Sequence, residues 1–371
     1  PPQPTAPSLG LTGVYFNELR GWQHDNLSQA FGPFLRSCKI IKKQPPERQM
    51  GKDGFAGTIE DWQRICRAAM EFRDGISSDN ARRFFESWFN PYQIKDNGNS
   101  QGLFTGYYEP QLRGSRHPSK KYHVALYRRP SDLVSANLGK FRKDWEGREV
   151  AGRLKGNRLV PYASRALIEQ GALKGQGLEL LWVDNIIDAF FLHIQGSGRV
   201  LLDNGEVVRV GYAGRNGQPY FAIGRELVKM GAVLKDNISL QTIRDWLEKN
   251  PGQATWLMNK NKSYVFFREF RGAGKQGGPV GAGGVSLTPG RSLAVDRKYL
   301  PMGVPMWLDS SHPLSNKPLR RMMVSQDTGG AIIGPVRGDF FWGAGSQARE
   351  AAGRMKQAGQ LYILLPRRIQ N

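Results

Sequence analysis

Apolar residues along this chain recur at two spacings, and the change from one to the other divides it. Between residues 58 and 72, Trp62, Ile65, Ala69 and Phe72 fall three or four positions apart, which gathers them on one face of a helix. Thr58 followed by Asp61 supplies a capping-box start for that helix. A second helix is predicted over 79–89, ending before Pro91. The chain then enters 103–110 (LFTGYYEP), a short aromatic strand stopped by proline. From about 110 to 270, short apolar runs dominate, at 122–127, 180–183, 189–195 and 207–210. Gly and Asn turns separate them, the pattern of an antiparallel or barrel-like sheet. Two helices interrupt it, one over 219–231 with Pro219 at its start and Gly231 at its end, one over 240–249 with Ser239 as N-cap. Strands return at 292–295, 305–308 and 322–325. Ser346 is placed to cap a helix over 347–358, and a strand at 361–365 closes the fold.

The glycine-rich segment 272–284 (GAGKQGGPVGAGG) breaks the pattern and is the best candidate for a crossing between domains. A phosphate-binding loop is the alternative. No Gly-Lys-Ser/Thr ending and no strand-loop-helix unit accompany it, so that reading is set aside. No internal repeat is visible. The first residues, PPQPTAPS, form a proline-rich tether. The chain does not begin with Met, so any signal peptide or lipid-bearing residue is expected upstream of it.

Composition narrows the picture. A chain of 371 residues is long enough for two domains, and nine Trp can furnish real cores. No run of about 20 apolar residues exists from which to build a membrane-spanning helix. The net charge of +21 favours an acidic polymer or surface as partner: nucleic acid, anionic lipid or an anionic wall glycan. The Lys/Arg clusters are short (Lys42-Lys43, Arg128-Arg129, Arg320-Arg321) and no nucleic-acid fingerprint appears, so nucleic acid is not expected. The two cysteines, Cys38 and Cys66, lack metal-ligand spacing, and no metal is expected. They could pair in an oxidising compartment or serve as small apolar core residues.

The candidate chemistry lies in 327–345, where Asp327 and Asp339 stand among glycines and aromatics with Arg337 between them. Carboxylates flanked by aromatic rings suit acid–base work on a sugar: rings stack on pyranose faces, and a shielded carboxyl holds its proton. The structural alternative is a turn cap at Asp327 and a solvated loop charge at Asp339. Three further segments, 104–109, 191–199 and 290–296, carry hydroxyl, amide and aromatic groups beside glycine, as a carbohydrate cleft does. His193 reads as packed within a strand rather than as a base, because no nucleophile motif accompanies it. Asp296 reads as structural.

Taken in order, the segments 104–109, 188–199, 263–268, 290–300 and above all 327–366 resemble the membrane-bound lytic transglycosylase A family, in its proteobacterial branch. The resemblance implies a mainly β fold with some α. A double-psi β-barrel catalytic domain would be built from 1–109 and 276–371, with a smaller β-barrel substrate-binding domain, 110–275, inserted between them and a glycan groove at their junction. It implies cleavage of the β-1,4 bond between N-acetylmuramic acid and N-acetylglucosamine without water, leaving 1,6-anhydromuramoyl ends and needing no cofactor. Asp339 matches the family's catalytic acid, with Asp327 organising the loop or stabilising charge. Phe340, Phe341 and Trp342 would desolvate Asp339 and raise its pKa. A close Arg337 would oppose that, so Arg337 is expected to point away or to pair with another carboxylate. Thr105, Tyr107, Gln195, Ser197 and Gly198 are the expected glycan contacts. The expected partners are peptidoglycan strands and other cell-wall enzymes. The expected place is the periplasmic face of the outer membrane, attached only through a lipid anchor upstream of this chain. The competing readings are an inverting hydrolase, with Asp339 as acid and Asp327 as base to a water, and a non-catalytic peptidoglycan-binding protein.

Overall fold

The computed structural model describes residues 6–145, 149–270, 278–329 and 332–367. The tether at 1–5, residues 272–277 of the glycine-rich break, and Gly330-Ala331 lie outside them. The chain gathers into two compact units, residues 1–108 with 276–371, and residues 109–275.

The path opens with β1 (Leu9–Gly13), three helices (Ser28–Ile41, Ile59–Ala69, Ser78–Trp88), β2 (Phe89–Asp96) and β3 (Gly102–Glu109). It continues through β4 (Gln111–Ser115), β5 (Val124–Tyr127), β6 (Leu133–Asn137), β7 (Glu149–Lys155), β8 (Arg158–Pro161), β9 (Glu179–Val183), β10 (Ser197–Leu202), β11 (Val207–Arg215) and β12 (Val265–Glu269). It returns with β13 (Ser292–Val295), β14 (Pro305–Ser311), β15 (Pro318–Asp327), β16 (Arg337–Ala344), the helix Ser346–Arg354 and β17 (Lys356–Pro366).

In the first unit the strands run in the order β17-β14-β15-β13-β16-β3, and β3 pairs back onto β17, with Thr105 opposite Lys356 and Gly102 opposite Gly359. This closes a six-stranded barrel, the expected mainly β architecture, and leaves no free edge around the ring. β1 and β2 extend the sheet from β17. The inward side chains alternate along each strand, and Phe104, Leu293, Trp307, Phe340 and Ile363 are buried in one core. The same core takes in the helices through the Phe31, Phe34, Phe84, Phe85 and Phe89 ring cluster. Ile59–Ala69 begins as its sequence predicts: Thr58 accepts from the Asp61 amide, and Asp61 accepts from the Thr58 amide at 2.9 Å. Cys38 and Cys66 form a disulfide joining the first two helices. Arg291 is buried in a two-pronged ion pair with Asp25, which ties the N-terminal segment to the barrel.

In the second unit β12-β11-β10-β4-β9-β5 form one sheet. It curls until Arg128, next to β5, bridges Phe267 of β12. Leu112, Leu126, Leu181, Val200 and Phe267 fill it, and β6-β7-β8 make a separate small sheet.

Several elements depart from expectation. The run 189–195 is not a strand but part of the helix Ile186–Gln195, capped by Asn185 and ended by Gly196 at φ +76°. Ala189 and Leu192 pack on the sheet while Phe190 and Phe191 pack on Leu227 and Leu257. Buried on both sides, the segment carries no polar face to reveal its period. The helix placed at 219–231 is only Gly224–Lys229, because Asn261 Oδ1 holds the Phe221 amide at 3.1 Å outside any helical turn. The helix placed at 347–358 is Ser346–Arg354, with Gly345 and not Ser346 as its N-cap. The following residues are drawn into β17 to close the barrel. Helices Ser28–Ile41 and Pro251–Asn259 had no counterpart in the expected elements.

Candidate active site

Four of the expected site residues meet on the first unit. β3 sends Phe104 into the barrel core and Thr105 and Tyr107 to the opposite face, by strand alternation. Gly106 lies between them because a Cβ there would stand 2.6 Å from the Trp342 indole nitrogen and 2.9 Å from Ala352 Cα. On β16, Phe340 joins the core with Trp342 packed against it, while Asp339 alternates to the face of Thr105. Phe341 shares that face and packs its ring, tilted, 5.1 Å from that of Tyr107. Of the three aromatics expected to shield Asp339, therefore, only Phe341 lies on its side of the strand.

β13 lies between β15 and β16, and its Ala294 is paired with Asp327 on one side and Asp339 on the other. The backbones of the two aspartates are thus about 10 Å apart across the sheet, two strand spacings. The residue between them, Ala294, is buried.

Their surroundings differ. Asp327 closes β15, and both its oxygens accept hydrogen bonds. Oδ1 accepts from the amides of Ala282 and Thr328, each at 2.9 Å, and Oδ2 from the Tyr107 hydroxyl at 3.0 Å. Asp339 accepts one hydrogen bond, from the Thr105 hydroxyl to Oδ1 at 2.6 Å. Among the described residues Oδ2 has no hydrogen-bond partner. Burial pushes the Asp339 carboxyl above the ordinary aspartate range. The Thr105 hydrogen bond and the Arg337 charge pull it back, and the Asp327 charge pushes it up. Burial also pushes the Tyr107 hydroxyl well above its usual value, with Asp327 adding to the effect, so it stays a donor.

Arg337 neither points away nor pairs with another carboxylate. One guanidinium nitrogen donates to Thr105 Oγ1 at 2.8 Å, and another to the carbonyls of Leu103 and Gly338. It begins β16, two residues before Asp339, so strand alternation places it on the same face. Asp296 spends its carboxylate on backbone, accepting from the Lys298 and Gly334 amides.

Gln195, Ser197 and Gly198 belong to the second unit. Gln195 ends the helix Ile186–Gln195 and is exposed, whereas Ser197 and Gly198 open β10. Gly198 has a packing reason of its own, since a Cβ would meet Leu192 at 2.6 Å and the Pro110 carbonyl at 2.8 Å. His193 is buried on that helix rather than on a strand. Its Nδ1 faces Arg165, and burial with the Arg165 charge holds its pKa well below the usual value. Its ring packs edge-on against Tyr264 and Phe267, so the imidazole is a packing element.

Sequence reasoning missed three contributors: Arg337 as a partner of Thr105, the Ala282 amide, and Ala294 as the spacer. None carries a sequence signal, because each acts through strand register.

No group of His, Cys, Asp or Glu that could hold a metal ion occurs among the described residues. A family model described as the MltA specific insert domain matches residues 103–268, and a 3D domain model matches residues 291–365. A membrane-bound lytic murein transglycosylase A from Vibrio cholerae is 33% identical over 277 residues, covering 72% of this chain and 67% of its own. The crystal structure of MltA from Neisseria gonorrhoeae superposes with a TM-score of 0.84 at 31% identity, over 98% of this chain and 92% of that one. A lytic transglycosylase of Burkholderia pseudomallei is 40% identical with a TM-score of 0.68, over 98% of each chain.

Proposed function

This chain belongs to the membrane-bound lytic murein transglycosylase A family, and from that premise we propose that Asp339 performs both its acid and its base chemistry while Asp327 organises the site. The chain is a peptidoglycan lytic transglycosylase.

Protonated Asp339 donates through Oδ2 to the β-1,4 glycosidic oxygen between N-acetylmuramic acid and N-acetylglucosamine. The C1–O bond breaks, its electron pair stays with the departing sugar, and positive charge grows at C1. The Asp339 carboxylate then accepts the C6 hydroxyl proton as that oxygen attacks C1 and closes the 1,6-anhydro ring. Asp339 ends protonated and no water is consumed. Because the nucleophile is tethered to the electrophile, no second carboxylate is needed to activate it.

The observation that carries this assignment is the unequal hydrogen bonding of the two carboxylates. Asp339 combines burial with an Oδ2 that has no hydrogen-bond partner among the described residues, as suits a proton donor. Asp327 already accepts three hydrogen bonds, which suits a fixed negative charge facing the developing cation and not a base waiting for water. That same saturation counts against the inverting hydrolase. Thr105 and Tyr107 position the carboxylates and line the glycan path. Gln195, Ser197 and the Gly198 backbone add glycan contacts on the inserted unit, which serves as the substrate-binding domain of the barrel's catalytic domain. The net charge of +21 suits anionic stem peptides and lactyl groups. The Cys38–Cys66 disulfide agrees with an oxidising compartment, and the proposed location is the periplasmic face of the outer membrane, with a lipid anchor upstream. No helix among the described residues is long and apolar enough to cross a membrane.

Mass spectrometry of muropeptides released from purified sacculi tests the chemistry. Every new muramoyl end is expected to lack one water relative to a reducing end. Release of reducing ends alone would establish hydrolysis instead.

A further inference from the structure

We propose that Arg337 is a positioning residue for the acid: through Thr105 it sets which oxygen of Asp339 carries the proton and how readily that proton is given up. This rests on the assignment of Asp339 as the acid–base group.

The geometry is a three-membered relay. Arg337 donates to Thr105 Oγ1 at 2.8 Å, and Thr105 donates to Asp339 Oδ1 at 2.6 Å. A threonine hydroxyl has one proton and can either donate to the carboxylate or turn elsewhere. An arginine has donors and no acceptor. Placed on the hydroxyl oxygen, it occupies a lone pair and leaves the Thr105 proton one useful direction, toward Asp339. The hydrogen bond from a hydroxyl so polarised is charge-assisted and short. With Oδ1 engaged as an acceptor, the acidic proton resides on Oδ2, the oxygen without a hydrogen-bond partner among the described residues, where a glycosidic oxygen can receive it.

The register keeps the relay in place. Arg337 and Asp339 are two residues apart on one strand face, and Thr105 is on β3, the neighbouring strand in the barrel. The guanidinium also donates to the carbonyls of Leu103 and Gly338 and, among the described residues, makes no ion pair with the Asp339 carboxylate. This settles a conflict in the sequence, where an arginine near the acid should spoil it. One hydroxyl away, its positive charge moderates the effect of burial without binding the proton-bearing oxygen. A group that acts first as acid and then as base works best with a pKa near the working pH; burial and the Asp327 charge push the Asp339 carboxyl up, and the Thr105 hydrogen bond and the Arg337 charge pull it back. The Arg337–Thr105 pair is the counterweight.

The test compares pH–rate profiles of anhydromuropeptide release from sacculi by the full chain and by Arg337→Met, Arg337→Lys, Thr105→Val and Asp339→Asn. Loss of the positive charge or of the hydroxyl favours the protonated acid. Arg337→Met and Thr105→Val are therefore expected to shift the alkaline limb to higher pH. Their plateau rate should fall about tenfold, the scale of one lost charge-assisted hydrogen bond. Arg337→Lys, which keeps the charge, should return the limb to the parental position. If Arg337→Met does not fold, Thr105→Val reads the same relay. A lowered plateau with an unmoved limb in both variants would mean that Arg337 only supports the strand, and would overturn the inference while leaving Asp339 in its role. Parental activity of Asp339→Asn would instead overturn the assignment of Asp339 itself.

Discussion

Asp339 and Asp327 lie on opposite sides of one alanine, yet the barrel provides them with different surroundings. Asp339 sits within β16, partly enclosed, with one hydroxyl on one oxygen. Asp327 sits at the end of β15, where two backbone amides and a tyrosine hydroxyl occupy both oxygens. Its neighbour Gln326 is fully buried and fixed by Ser292, Pro33 and Ser37, so the Asp327 side is anchored to the helix Ser28–Ile41. The comparison teaches that residue type does not allot the roles. Sparse hydrogen bonding and burial make a proton donor, and saturation makes a fixed charge.

The comparison can be broken in three places. The largest effect is expected for Asp339→Asn, which keeps the shape and the Thr105 hydrogen bond but has no acidic proton. The rate of muropeptide release should fall about 10³-fold, within the range for losing a general acid. A smaller loss, about 10- to 100-fold, is expected for Asp327→Asn, which removes a charge near the developing cation but not the proton source. Equal losses in the two variants would erase the division of roles.

The smallest effect is on stability and has opposite signs at the two sites. Because burial raises the folded-state pKa of Asp339, its contribution to stability is fully present below the unfolded pKa and is lost as pH rises through the raised folded value. At neutral pH the charged group is a burden on the fold. Asp339→Asn should therefore melt higher than the parent at pH 7, with the difference vanishing in acid. Asp327→Asn should melt lower at pH 7, since an amide nitrogen there would face one of the donors now satisfied. Thermal scans at pH 7 and in acid check both signs.

Much of the barrel was legible in the sequence because its strands are short apolar runs and its helices are capped. The capping box at Thr58 and Asp61 and the Ser239 cap are local signals, and local signals survive in sequence. The helix Ile186–Gln195 was not legible, because enclosure between two cores removes the polar face that would show its period. At the site, the aspartates could be picked out among glycines and aromatics. Their separation by Ala294, the saturation of Asp327 by the distant Ala282 amide, and the placement of Arg337 on Thr105 depend on strand order and register. A parallel pairing of β13 with β15 beside an antiparallel pairing with β16 cannot be read from spacing alone.

The central claim is that Asp339 carries the proton and Asp327 does not. Its most direct test is the initial rate of anhydromuropeptide release from sacculi by Asp339→Asn and Asp327→Asn, measured side by side on folded protein. The account predicts that Asp339→Asn is the slower by at least about tenfold, and that the residual product of Asp327→Asn still ends in the anhydro form. A faster Asp339→Asn, or hydrated ends from Asp327→Asn, would contradict it.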